Sequence, residues 1–411
     1  MSKPQLLFLC HRIPYPPNKG DKIRSYHLLQ YLCKHYDVHL GCFVDDEEDI
    51  PYIGFIEEMC RSSLCLTLNT TYQKIVSLTG LLTHQPLTLP YYFNEQLRRW
   101  VRQQVDSHDI ERCVVFSSSM GQYLEGGGFH GIRSVVDLVD VDSDKWRQYA
   151  DSKVWPLSWL YRREARLLLD TERRLIERSE KSLLVSSTEA ELMRKLTPGL
   201  GSKIDHYNNG VDATYFDPSL DYENPYPNSK SILVFTGAMD YWPNVDAVCW
   251  FAQSVFPELR ALYPDMEFYI VGRNPVKDVK KLDTFAGVTV TGGVTDIRAY
   301  LQFADVVVAP LRVARGVQNK VLEAMAMEKT VLSSSQGLEG IEAELGVELL
   351  LADTLSDYVE YLPKLLAGEC ESMGKRAREC ILKKFDWDSS LPIVAEFLEG
   401  RRVGELQNHG L

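Results

Sequence analysis

No CxxC pair occurs in the 411 residues, and the nine cysteines stand singly at Cys10, Cys33, Cys42, Cys60, Cys65, Cys113, Cys249, Cys370 and Cys380. An odd set without pairing spacing argues against a disulfide framework and for reduced, mostly buried thiols in a cytosolic protein. The histidines, His11, His27 and His130 among them, show no ligand spacing, so no structural zinc site is expected. Excess positive charge is also lacking. A net charge of −12 disfavours a general nucleic-acid binder and leaves small partners, including a phosphorylated molecule in a local basic pocket. No apolar run is long enough to cross a bilayer. The opening QLLFLC is too short for a secretory core and runs into a proline-rich loop, so no leader is expected. The glycine-bearing loop at 12–24 follows neither GxxxxGK[ST] nor GxGxxG, and neither ATP hydrolysis nor hydride transfer is supported. There is no internal repeat or low-complexity tract.

What is present is a large apolar fraction, 45%, in a chain long enough for two domains of roughly 150–200 residues each. Short apolar runs alternate with helical patterns. Strands are expected at 5–10, 38–44, 63–68, 112–118, 134–140 and 181–187, with helices at 25–36, 92–106 and 159–180. The plan then repeats: strands at 231–237, 266–272, 288–293 and 306–310, with helices at 244–263 and 296–304. Such alternation predicts two doubly wound α/β domains. The bridge DPSLDYENPYPNSK at 217–230 is the natural linker, which sets domains at 1–222 and 223–385 and a helix and tail at 386–411, with a cleft expected between the domains. The segment 155–180 mixes Trp155, Trp159 and Tyr161 with Arg162, Arg163 and Arg166. It reads as a helix with one core face and one charged face, or as one lying on a membrane surface.

The stretch PLRVARGVQNKVLEAMAM at 310–327 joins a strand to a helix through a loop bearing Arg312, Arg315, Gly316, Gln318 and Asn319, with Lys320 and Glu323 at the helix start. An open α/β sheet binds its ligand at such a place. Strand ends at Gly237 and Gly272 deliver GAMDYWPN and GRNP to the same edge. Arg273 is there the best candidate for a diphosphate, because a guanidinium offers paired donors to phosphate oxygens; a surface arginine reads identically. Glu323 suits ribose hydroxyls or is simply a first-turn glutamate favoured by the helix dipole. In the first domain, the loop at 12–24 ends in Gly20, Asp21, Lys22 and Arg24 ahead of a helix, which fits an anion site or a rigid crossover. Asp137, Asp140, Asp142 and Asp144 form an acidic strand exit, able to meet an acceptor hydroxyl or a metal, or to face solvent.

Taken in order, the loop ending at Gly20, NNGVDATYFDP at 208–218, GAMDYWPNVDAV, LEAMAMEKTVLSS at 322–334 and SSSQGLEG resemble the retaining GT-B glycosyltransferases of family 4, the glycogen-synthase-like sugar transferases. CHRIPYPPNKGDKIR, VDLVDVDSDKWRQYA and ARGVQNKVLEAMAM resemble more narrowly the sugar transferases of bacterial exopolysaccharide gene clusters. The resemblance implies a GT-B fold and transfer of a hexose, with retention, from a nucleoside diphosphate sugar to a saccharide or lipid-linked hydroxyl. It implies no cofactor or metal, and a cytoplasmic protein with peripheral contact at the inner membrane face if the acceptor is lipid-linked. It places the donor on Gly20, Gly237, Arg273, Arg315, Gly316, Val317, Gln318, Asn319, Lys320 and Glu323, with Arg273, Arg315 and Lys320 stabilising the departing diphosphate, and the acceptor near Asp137, Asp140 and Asp142.

Three positions depart from the family pattern. Glu323 matches the second glutamate of Glu-x7-Glu, but the first falls on Arg315, which cannot accept hydroxyl hydrogens. The arginine and lysine expected after Gly237 are replaced by Ala238 and approximately Asn244. An acceptor-side histidine is also missing from its expected place. A nucleotide-sugar epimerase and a noncatalytic nucleotide-sugar-binding subunit remain as alternatives, the latter favoured by Arg315.

Overall fold

The computed structural model describes residues 3–17, 20–126, 129, 131–151, 153–227, 231–314, 316–368 and 371–400. They form two compact units, Met1–Asn208 with Leu391–Leu411, and Asn209–Ser390.

In the first unit the strands are β1 (Gln5–Cys10), β2 (Asp37–Val44), β3 (Ser62–Thr67), β4 (Arg112–Phe116), β5 (Arg133–Val139), β6 (Lys181–Leu184) and β7 (Ile204–His206). They make one sheet in the order β3-β2-β1-β4-β5-β6-β7, every pair parallel. Both faces are covered, which is why the central strands are almost continuously apolar: Leu6 to Cys10 and Cys113 to Phe116 are fully buried. The chain winds outward from β1 to β3 and then returns to place β4 on the other side of β1. The gap between the exits of β1 and β4 is therefore the switch point at which such a sheet binds ligands.

The helix after β1 runs Gly20–His35, starting earlier than the expected 25. Its first turns look like loop because they are polar, yet Lys22 and Arg24 are buried and each meets a buried carboxylate, Asp49 at 2.8 Å and Asp137 at 2.8 Å. The long helix Leu157–Arg178 turns Ala165, Leu168, Glu172 and Ile176 into the core, while Trp159 and the preceding Trp155 stay exposed. Helix Pro392–Glu399 also belongs to this unit, where Glu399 accepts two hydrogen bonds from Arg112 at 2.7 and 2.9 Å.

The second unit has β8 (Ile232–Thr236), β9 (Glu267–Val271), β10 (Val288–Gly292), β11 (Val306–Ala309), β12 (Val331–Ser333) and β13 (Leu350–Leu351). They are again parallel, in the order β10-β9-β8-β11-β12-β13, with the switch point between β8 and β11. The segment NNGVDATYFDP, which falls inside the 1–222 expected for the first domain, lies in this unit from Asn209 onward. The Val211 amide donates to the Phe385 carbonyl at 2.8 Å, and Arg378 donates to the carbonyls of Phe216 and Ala213 at 2.7 and 3.3 Å.

Candidate functional site

At the switch point of the second unit, β8 ends in Gly237, whose φ of +151° is open to few side chains. A Cβ there would stand 2.7 Å from Asn244 Nδ2 and 3.2 Å from Lys320 Cε. The neighbouring exit is as close: a Cβ on Gly272 would meet the Gly237 carbonyl oxygen at 1.6 Å. These two glycines let two strand ends and a helix start converge. Helix Asn319–Ala326 begins beside them, and Lys320 Nζ donates to Asn244 Oδ1 at 2.9 Å and to Gln318 Oε1 at 3.4 Å. Asn244, which stands near the position of the missing family lysine, holds Lys320 in place and donates to the Ala238 carbonyl at 2.9 Å.

Burial lowers the Lys320 ammonium to about 8, with Glu323 acting in the opposite direction. Glu323 lies three residues on, so both project from one side of the helix. Burial raises its carboxyl to about 7, offset in part by Lys320. Its carboxylate has no hydrogen-bond partner among the described residues. A partly buried carboxylate and ammonium, both perturbed and side by side at a sheet switch point, mark a binding site for polar groups of both kinds.

The remaining expected donor residues are distributed around this nook. Gly316 has a left-handed φ of +68°, and its carbonyl accepts from Gln318 Nε2 at 2.9 Å. Val317 packs against Gly340, where a Cβ would lie 3.0 Å from Val317 Cγ2. Asn319 is the first residue of the helix, whose leading amides lack intrahelical partners. Arg273 is exposed just past β9, and its carbonyl accepts from the Met239 amide at 2.8 Å. Arg315 lies outside the described residues. Arg312 is held instead by Asp246, through Nε at 2.9 Å, and pins the loop to helix Trp242–Trp250. Gly20 belongs to the first unit, where it opens its helix with nothing within 4 Å of a Cβ position.

In the first unit the acidic exit divides. Asp137 is only 1% exposed, and its Oδ2 accepts from Arg24 Nε at 2.8 Å and from the Tyr207 hydroxyl. Its Oδ1 accepts from the Val139 amide at 3.1 Å. The expectation that Asp137 meets an acceptor is therefore corrected: its oxygens are committed to the core. Lys22 and Arg24 are corrected likewise, since a buried cation is held by its carboxylate. Asp140 and Asp142 remain partly exposed around Lys145, at 2.6 and 3.5 Å, and burial raises the Asp142 carboxyl despite Lys145. Asp144 binds Arg147 at 2.8 Å and Gln148. Among the described residues no group of His, Cys, Asp or Glu is placed to hold a metal.

A cluster that spacing did not reveal stands at the exit of β1. His11 stacks on Phe116 with centroids 5.9 Å apart and presents an edge contact to Tyr92 at 5.7 Å. Its Nε2 is 3.5 Å from Asp21 Oδ2, which also takes Arg12 Nη1 at 2.9 Å, while Arg12 Nε reaches Asp45 at 2.7 Å. Burial opposes ionisation of Asp21, but His11 and Arg12 overcome it and hold the carboxyl well below the usual range. The available signal was position and not spacing: His11 follows the central strand directly. Strain gathers nearby, with left-handed φ at Ser117 (+79°) and at the β-branched Val139 (+67°), residues that follow or end β4 and β5.

Residues 230–367 match the family described as Glycosyl transferases group 1. A search of curated proteins by sequence finds no match. Among solved structures, sucrose-phosphate synthase from Thermosynechococcus elongatus is similar with a TM-score of 0.66 at 16% identity, over 97% of this chain and 98% of that one. HepE from Anabaena in complex with UDP is similar with a TM-score of 0.65 at 13% identity, over 96% and 100%. WaaG, a glycosyltransferase involved in lipopolysaccharide biosynthesis, has a TM-score of 0.60 at 17% identity, over 96% and 100%. At these identities the likeness establishes the fold. The chain has the GT-B architecture of two Rossmann-like units, the second of which carries the match to glycosyl transferases group 1.

Proposed function

We propose that the protein is a retaining glycosyltransferase that moves a hexose from a nucleoside diphosphate sugar to a hydroxyl of a saccharide or lipid-linked acceptor, as in exopolysaccharide synthesis. The observation that carries this reading is the Lys320–Glu323 pair at the switch point of the second unit, supported from one side by Gly237 and Asn244. Lys320 and the amides around Gly316 and Val317 meet the diphosphate, and the unpartnered Glu323 carboxylate accepts the ribose hydroxyls. Arg273, exposed at the same sheet edge, adds charge to the diphosphate, as does Arg315. The match over 230–367 and the UDP complex of a structurally similar protein favour a nucleoside diphosphate as ligand.

In the reaction the bond from the anomeric carbon to the diphosphate oxygen breaks, and the acceptor hydroxyl oxygen bonds to that carbon on the same face. The hydroxyl proton passes to the departing diphosphate, so no nucleophilic side chain is required. Cations that meet charge as it develops on the leaving group lower the barrier more than those that bind the ground state equally. The acceptor falls to the first unit, where Asp140, Asp142 and the His11–Asp21 pair offer acceptors and donors for sugar hydroxyls.

A lipid-linked acceptor and contact with an anionic bilayer are favoured by one surface of the first unit. Leu82, Val154 and Trp155 are 84, 83 and 79% exposed. Their two segments are stapled together: Arg163 Nη2 donates to the Gly80 carbonyl at 2.7 Å, and buried Glu164 accepts from the amides of Leu87 and Thr88 at 2.6 and 3.0 Å. In a chain of net charge −12, no Asp or Glu occurs between Glu58 and Glu95 or between Asp151 and Glu164. Apolar and aromatic residues beside segments whose Lys and Arg outnumber their acids suit an anionic interface. Among the described residues no helix is long and apolar enough to cross a membrane.

Titration calorimetry with UDP, GDP, ADP and TDP and their common sugars, repeated on Glu323→Ala, tests the donor reading. Selective binding that weakens in the variant is expected. No binding to any of them, or binding indifferent to Glu323→Ala, would overturn it.

A further inference from the structure

The sheet of the first unit sets three cysteines in one row, because Cys10 pairs in register with Cys42, and Cys42 with Cys65. The sulfurs of Cys42 and Cys65 are 3.5 Å apart. Neighbouring strands lie about 4.8 Å apart, within the Cα separation of roughly 4.4–6.8 Å that disulfides span. Bonding these two sulfurs therefore calls for side-chain rotation and a small closing of the two strands, bringing the Cβ atoms to the roughly 3.5–4.5 Å that a disulfide spans. None of this was visible in a sequence where the same cysteines stand far apart and singly.

Access differs along the row. β3 is the edge strand, and Cys65 on it is partly exposed, while Cys42 and Cys10 are buried. Within the pair Cys65 is favoured as the thiolate, lowered by the hydrogen bond from Cys42. Burial pushes Cys10 up to about 12, so it stays a thiol.

We propose that Cys42–Cys65 is an oxidation site, closing to an intramolecular disulfide when the protein meets a hydroperoxide. The Cys65 thiolate attacks one peroxide oxygen, the O–O bond breaks, and the departing oxygen takes a proton, leaving a sulfenic acid. Cys42 sulfur then attacks Cys65 sulfur, the S–O bond breaks, and hydroxide leaves with the Cys42 proton as water. The peroxide gains two electrons and the thiol pair loses two, so each disulfide consumes one hydroperoxide and releases one alcohol, or water, and one further water. Cys42 sits on β2, which ends just before Asp45, the carboxylate that holds Arg12 of the His11–Arg12–Asp21 cluster.

The inference is independent of glycosyl transfer, and its test reads sulfur chemistry alone. The full-length protein is treated with hydrogen peroxide, unfolded in iodoacetamide and mapped by peptide mass spectrometry. Expected is a cross-linked Cys42–Cys65 peptide lacking two hydrogens and restored by dithiothreitol, with Cys113, Cys249 and Cys380 still alkylated. In Cys42→Ser, with its circular dichroism unchanged, Cys65 should be trapped as the sulfenic acid by dimedone. Full alkylation of the wild type, oxidation to sulfinic or sulfonic acids without cross-links, or cross-links through Cys113 or Cys249 would each overturn the proposal.

Discussion

Replacing Lys320 with methionine keeps most of the side-chain stem and removes the charged Nζ, which lies 5.4 Å from the centre of the Phe235 ring. If Lys320 meets the diphosphate, the variant loses a hydrogen bond to a charged group, about 1.5–3 kcal/mol, which corresponds to roughly tenfold to a hundredfold weaker binding of UDP. The pH dependence is the sharper reading. Burial leaves free Lys320 titrating near about 8, whereas a bound diphosphate favours the ammonium and raises that value. Binding above about 8 must then take up a proton, and wild-type affinity should fall by up to about tenfold for each pH unit of further rise, until the bound-state value is passed. Calorimetry in two buffers of different ionisation heat counts the protons directly. Lys320→Met should show weaker binding and no such uptake. A variant that binds UDP within about twofold of wild type, or a wild type whose affinity is flat from neutral to alkaline pH, would refute the placement of the diphosphate at Lys320.

Asp137→Asn should leave Arg24 buried beside a neutral partner and cost about 3–5 kcal/mol in chemical denaturation; a loss comparable to an exposed ion pair, under about 1 kcal/mol, would return Asp137 to the acceptor candidates. Glu172 accepts from the Ser143 amide and hydroxyl at 3.2 and 2.6 Å, and burial raises its carboxyl from 4.5 to about 8. The folded chain thus holds a proton that the unfolded chain has lost, and stability should decline as pH rises through that interval. Thermal melts of Glu172→Gln across it should decline less than wild type, and parallel curves would contradict the shift. The double variant Leu82→Ser, Trp155→Ser should lose flotation with anionic vesicles while keeping UDP binding, each large apolar side chain contributing up to roughly 1.5–3 kcal/mol; unchanged flotation, or wild type that never floats, would remove the membrane reading.

The strands were the most legible part of the fold, because parallel strands covered on both faces are short apolar runs between turns. The ten expected strands all occur, with ends shifted by a few residues. The three that were missed are β7, β12 and β13, of three, three and two residues, too short for any periodicity to register. Helix ends failed where polar residues were buried: Lys22 and Arg24 read as loop, and only their pairing with Asp49 and Asp137 makes a helical start at Gly20 tolerable. The helix expected within 386–411 is two pieces, Trp387–Ser390 and Pro392–Glu399, the second opening at Pro392, which has no amide hydrogen to continue the first.

Site legibility followed a different rule. Residues grouped by one loop, such as Gly316, Gln318, Asn319, Lys320 and Glu323, could be found together because the chain itself keeps them together. Groupings made by strand order could not. His11 meets Asp21 across a loop and Phe116 across the sheet, and Asn244 reaches Lys320 from a helix far away in sequence. The acidic exit shows the same limit in reverse: alternating carboxylates looked equivalent, yet Val139 turns to a left-handed φ at the end of β5, and the ladder shifts register there. Asp137 points into the core to meet Arg24, while Asp140 and Asp142 gather around Lys145. A single bend at the strand end thus decides which carboxylates hold the fold and which stay available to a ligand, and a change that straightens it, Val139→Gly excluded because glycine tolerates the same φ, should disturb both roles together.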